Sequence, residues 1–131
     1  MENKNMQATT QRPEGNRVLN APMLKTDLNS LIVQLKNEKA WADSDRNAIT
    51  IFKSDIMRIV LIGLKQDAVL SEHIARGDIS VQVLEGNLAF VANEQTNIFA
   101  KGEIIVLQES VPHSLTANTE SFFLLTLAMT A

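Results

Sequence analysis

From Ala48 almost to the last residue, apolar and polar side chains alternate with a period of two. Clusters of turn formers interrupt this pattern every ~8–12 residues, the spacing of short antiparallel strands. The pattern predicts strands at Ala48–Lys53, Met57–Leu64, Ile79–Leu84, Leu88–Ala92, Ile104–Leu107, Ser114–Ala117 and Ser121–Met129. Between them lie GLKQD, ARGD, EGN, ANEQTN, AKGE, ESVP and ANTE, all read as turns. A chain of many short strands can bury its alternate side chains only in an antiparallel sandwich or a barrel. Gly86 in EGN is expected to supply the positive φ of a tight hairpin, and Gly102 to do the same before Ile104.

The segment before this pattern is different. Residues 1–16 are polar throughout and lack the apolar surface that offsets ordering entropy, so a flexible tail is expected there. The remainder, residues 17–131, is long enough for a single domain, with the barrel over about 48–129. Leu28, Leu31, Ile32 and Leu35 recur at helical spacing, which predicts one amphipathic helix packed outside the sheets. Thr26 or Asp27 is placed to cap its first turn, and Lys36 and Lys39 suit the negative end of its dipole. Trp41, just beyond, is expected to plug one end of the core.

Charge and composition exclude several functions. The net charge is −3 and the twelve basic residues are scattered, so the basic face that nucleic acid requires is missing. There is no cysteine, which removes disulfides, thiolate metal sites and a cysteine nucleophile. The first residues carry no apolar stretch of a secretory signal, and Ile56–Leu64 is too short and too interrupted to span a bilayer. A soluble cytoplasmic protein with neither a nucleic-acid nor a membrane partner is expected. Phosphate-binding loops, dinucleotide fingerprints, nucleophile elbows and the HExxH metal motif are all absent.

Two histidines remain, His73 and His113. Neutral imidazole is a common ligand for transition metals, but a competent site needs three or four protein ligands. Two histidines that are simply hydrogen-bonded in a core satisfy the same pattern.

The runs VQVLEGNLAF and KGEIIVLQESVPHSLTA resemble the barrel of the cupin superfamily over about Ala48–Met129. The first cupin motif has the form G-x5-H-x-H-x3-E-x6-G, and with Gly86 as its last glycine it falls on Asp67, His73, Ala75 and Ile79. The second, G-x5-P-x-G-x2-H-x3-N, falls on Gly102, Gln108, Ser110, His113 and Ala117. The spacing is kept, but the residues are kept only in part. The resemblance implies an all-β double-stranded β-helix (the jelly-roll or cupin barrel) and places His73 and His113 at two of four metal-ligand positions. Ala75 and Ile79, which cannot bind metal, occupy the other two. The pattern is similar to small single-domain bacterial cupins with degenerate metal motifs.

Alternation extends this implied placement. Ile79 inward takes Val81 and Val83 with it, and His113 inward takes Leu115 and Ala117. If His73 points inward, Ser71 and Ala75 share its face. The cavity is therefore expected to be largely apolar, lined by His73, His113, Ile79, Val81, Leu115 and Ala117, and suited to a small molecule held by one or two hydrogen bonds. The alternative is a metal-dependent enzyme of oxygenase, isomerase or decarboxylase type. Its reduced centre would hold a divalent transition metal weakly on His73 and His113, completed by water, substrate or a loop residue such as Glu109. No catalytic residue is assigned, and binder and enzyme both stay open. Arg58 could face a cavity and bind a carboxylate, but the solvent side of an alternating strand is its ordinary place. Finally, SFFLLTLAM is apolar on both faces, so a partner subunit is expected to cover one of them and make a homodimer, unless the helix does so.

Overall fold

The computed structural model describes Asn5–Met6 and residues 17–129. The segment expected to be a flexible tail lies outside the described residues, apart from Asn5–Met6 (β1), which pairs with Arg17–Val18 (β2). Helices α1 (Leu28–Asn37) and α2 (Lys39–Asp43) follow. Nine strands complete the chain: β3 (Arg46–Lys53), β4 (Met57–Leu64), β5 (Val69–His73), β6 (Gly77–Glu85), β7 (Asn87–Ala92), β8 (Gln95–Ala100), β9 (Ile104–Leu107), β10 (His113–Ala117) and β11 (Ser121–Met129). They form a five-stranded sheet, β3-β4-β11-β6-β9, and a four-stranded sheet, β5-β10-β7-β8. Every pairing is antiparallel. The jelly-roll architecture is thus present, but as two separate hydrogen-bonded sheets rather than one closed barrel.

Between the sheets sits the main core, in which Val81, Val83, Leu88, Phe90, Leu115, Ala117 and Phe123 are all buried. A second core lies on the other face of the large sheet, where Ile32 and Leu35 of α1 and Trp41 of α2 meet Ile49, Leu61 and Phe122. Over β4 and β11 the large sheet is therefore covered on both faces within one chain. Phe123, Leu125 and Leu127 of β11 face the main core, while Phe122 and Leu124 face the helices. The apolar faces that suggested a partner subunit are covered by the chain itself.

Local chemistry explains the helical layer. Asp27 caps α1, its carboxylate accepting from the amides of Asn29 (3.0 Å) and Ser30 (3.3 Å). The helix ends at Glu38, whose extended backbone starts a second short helix, so Lys39 opens α2 instead of closing α1. Trp41 does not plug an end of the main core. It lies over the outer face of the large sheet, 5.4 Å from the Phe122 ring, where Gly63 leaves the space. Asn47 ties this layer down: its side-chain amide donates to the Leu35 carbonyl and to Glu38, both at 3.0 Å.

Two turns differ from expectation. Glu85-Gly86-Asn87 is not a hairpin, because β6 and β7 belong to different sheets. Gly86, at φ 97°, bends the chain across the corner, and a side chain there would collide with Ser121 and the Glu120 carbonyl. ANEQTN is only partly a turn. Asn93 and Glu94, at φ 51° and 60°, form a two-residue loop of the kind hairpins favour, and Gln95 onward is the polar edge strand β8. No helix among the described residues is long and apolar enough to cross a membrane.

Candidate functional site

His113 opens β10 and His73 closes β5, and the strand register sets them directly opposite each other. One step further on, Leu115 pairs with Leu70, so three residues of β5 span what two residues of β10 span. This bulge changes the parity of β5. Leu70 packs on the main core and His73 also turns inward, whereas Ser71 lines a depression on the outer face beside Glu72 and Ser114. The expectation that Ser71 shares the face of His73 fails for that reason.

The two imidazoles lie with ring centroids 4.3 Å apart, and the other side of His113 stacks on Phe90 at 5.5 Å with the planes 9° apart. His113 is 4% exposed, while His73 is open to solvent. Each ring is held by its own loop: His73 Nδ1 lies 2.8 Å from the Ser71 carbonyl, and His113 Nδ1 2.9 Å from that of Val111. A carbonyl can only accept, so both Nδ1 atoms carry hydrogen. In the neutral rings Nε2 is then the free acceptor, and neither Nε2 has a hydrogen-bond partner among the described residues.

Across from the pair, an inward row of the large sheet runs Arg58, Leu127, Ile79, in register over β4, β11 and β6. Together these groups bound an open cavity of about 370 Å³, lined by both histidines, Arg58, Arg76, Ile79 and Leu127 among others. Of the six lining residues expected from sequence, His73, His113 and Ile79 reach it. Val81, Leu115 and Ala117 face inward as alternation requires, but they are packed into the core and do not line the opening. The core closes over them because Phe90 and Phe123 fill the space between the sheets at that level.

On alternation alone the ordinary place of Arg58 is the solvent side, and Arg76 lies in the ARGD turn. Arg58 shares its parity with Val60 and Ile62, and Ile62 packs on the main core. The signal was present but unusable until the pairing partner was known. Asp45, whose carboxyl the adjoining Arg46 guanidinium holds below the usual carboxylate range, is not part of this cavity.

A metal of the kind cupins use fits these residues poorly. Ala75 and Ile79 line the cavity where two ligands would stand, and no group of three or more His, Asp or Glu that could hold a metal occurs among the described residues. Glu109, the candidate completing ligand, is exposed and does not line the cavity. The other ionisable groups on the wall are guanidiniums, which repel a divalent cation.

No family model matches the sequence, and no curated protein is significantly similar to it. Similar solved structures are numerous. A conserved protein of unknown function from Streptococcus pyogenes is 22% identical, with a TM-score of 0.64, over 68% of this chain and 78% of that one. A cupin superfamily protein from Desulfitobacterium hafniense is 15% identical, also at 0.64, over 65% and 78%. The cupin domain of Cnp3 from Schizosaccharomyces pombe is 13% identical at 0.62, over 99% and 89%. The chain has the cupin fold.

Proposed function

We propose that this protein binds a small molecule in the cavity between its two sheets, at the His73–His113 pair. The observation that carries this is the pairing of two pre-oriented imidazoles, both with Nε2 unpartnered among the described residues, at the wall of a cavity of about 370 Å³. That volume lies within the range of small-ligand sites, which combine apolar walls with a few fixed polar groups. Ile79, Leu125 and Leu127 supply the apolar wall here. Phe90, stacked on His113, and the two carbonyl contacts hold the rings without the ligand, which lowers the ordering cost of binding.

A thermal-shift screen of small metabolites tests the proposal. A ligand present at 100 times its dissociation constant should stabilise the protein by about 2.7 kcal/mol. That gain should fall sharply in His73→Ala and in His113→Ala. Hits indifferent to both substitutions would place binding elsewhere and refute the proposal.

Self-association is a second part of the reading, although β11 no longer supports it. Its support is the edge strand β9, where Ile104 and Val106 are 55% and 69% exposed beside unpaired backbone. Light scattering at micromolar concentration should give twice the 14.5 kDa chain mass; a monomer would contradict it.

A further inference from the structure

Arg58 is out of place by ordinary packing rules. It occupies an inward position of β4, in the series that continues with Val60 and Ile62. Its cross-strand neighbours are Leu127 on one side and Lys53 on the other, so neither offers a counter-charge. Its Nε is buried without a hydrogen-bond partner, and the guanidinium makes no ion pair among the described residues. A buried, unpaired guanidinium hydrogen is costly, and native proteins seldom leave one unless something else completes it.

The surrounding charge points to what completes it. The ionisable side chains lining the cavity are Arg58, Arg76, His73 and His113, with no carboxylate among them. Arg76, like Arg58, forms no ion pair among the described residues. The acidic groups nearby are turned to other work. Asp78 accepts from the Glu109 amide at 2.9 Å, and Glu72 lines the outer depression. A chain with a net charge of −3 has therefore gathered only basic groups around this one cavity.

We propose that the ligand is a small organic carboxylate with a short apolar body, anchored on the Arg58 guanidinium. This rests on the cavity being a small-molecule site, as argued above. A guanidinium presents parallel N–H groups that match the two oxygens of a carboxylate, and burial strengthens that pairing. Ile79, Leu125 and Leu127 receive the apolar body, and His73 and His113 accept a hydrogen bond from any hydroxyl at its far end.

The test uses matched probes, hexanoate and benzoate against hexanamide and benzamide, titrated into the full chain by NMR. Acids should bind about tenfold or more tightly than amides of the same shape, the scale of one charge-assisted hydrogen bond. Arg58→Met should remove that preference, while Arg58→Lys, which keeps charge without the fork, should retain part of it. Arg58 has no partner to lose among the described residues, so Arg58→Met should fold with no fall in thermal midpoint; should it not fold, the weakened preference of Arg58→Lys decides. Amides that bind as well as acids overturn the carboxylate assignment and leave the small-molecule site standing. A preference that survives Arg58→Met but is lost in Arg76→Met overturns the anchor. If neither acids nor amides bind while the metabolite screen still yields histidine-dependent hits, only this inference falls; if both fail, the site itself does.

Discussion

Phe123→Ala should lower the unfolding free energy by about 3–5 kcal/mol, and Phe122→Ala by a similar amount, although the two side chains never share a core. Phe123 is 1% exposed, with Ile62 and Val83 as its cross-strand neighbours, and packs between the sheets. Phe122, also 1% exposed, packs under the helices against Trp41, with the Lys36 ammonium 5.5 Å from its ring centre. Neither cavity can collapse easily, because β4 is held to β11 by an unbroken ladder and β6 pairs along the other side, with one register shift between Phe122 and Phe123. Against a typical total of about 5–15 kcal/mol, either loss is a large fraction. The two variants separate by spectroscopy. Trp41 is the single tryptophan, so Phe122→Ala should change native-state fluorescence and Phe123→Ala should leave it nearly unaltered. Urea denaturation monitored by far-UV circular dichroism gives the energies. A cost under about 1 kcal/mol for either would mean that its core is not packed as described.

Gly77→Ala should also destabilise the fold, by less and for a different reason. Gly77 begins β6 opposite Met129 of β11, and a Cβ there would overlap the carbonyl oxygen of Ala128 and press on the Met129 backbone. Backbone cannot rotate aside as a side chain can, so the two strands must part locally. Overpacking of this kind costs about 1–3 kcal/mol, more than the ~0.5–1 kcal/mol that alanine gains over glycine within a strand. A fall in thermal midpoint of about 5–10 °C is expected. The strands would open beside Arg76 and next to the Ile79–Leu127 row, so ligand-dependent stabilisation should weaken as well. An unchanged midpoint would show that β6 and β11 do not approach so closely.

Much of the fold was legible because it depends on period and turn chemistry alone. β4, β9 and β11 run over the residues that alternation predicts, and Asp27 caps α1 where a helix start was expected. Gly86 and Gly102 take the positive φ assigned to them. β8 was missed because an exposed edge strand needs no apolar face, so QTN reads as loop. β5 was missed because it is short and mostly exposed, and its bulge breaks the very alternation by which strands are recognised.

The candidate site was legible only as two histidines. Their spacing aligned them with cupin motifs, but their contact at 4.3 Å arises from the β5–β10 register, which joins residues forty positions apart. Depth was equally hidden. Val81 and Ile79 share a face, yet only Ile79 reaches the cavity, because aromatic side chains from other strands decide where the core ends and the opening begins. Arg58 shows the same limit most sharply. Alternation assigns residues to two faces without saying which face is inside, and β4 is apolar on both.

By itself, then, the sequence determined that the chain makes short antiparallel strands with one helical layer, and that His73 and His113 fall in the cupin motif positions. The strands and the helical layer follow from local periodicity and turn residues, and the motif positions from the resemblance to cupins. Only the tertiary structure decided that the helices cover the outer face of β11, that a bulge turns His73 toward His113, and that Arg58 lines the cavity without a partner among the described residues. Each of these depends on which strand lies beside which, and that is set by the joint burial of side chains far apart in the chain.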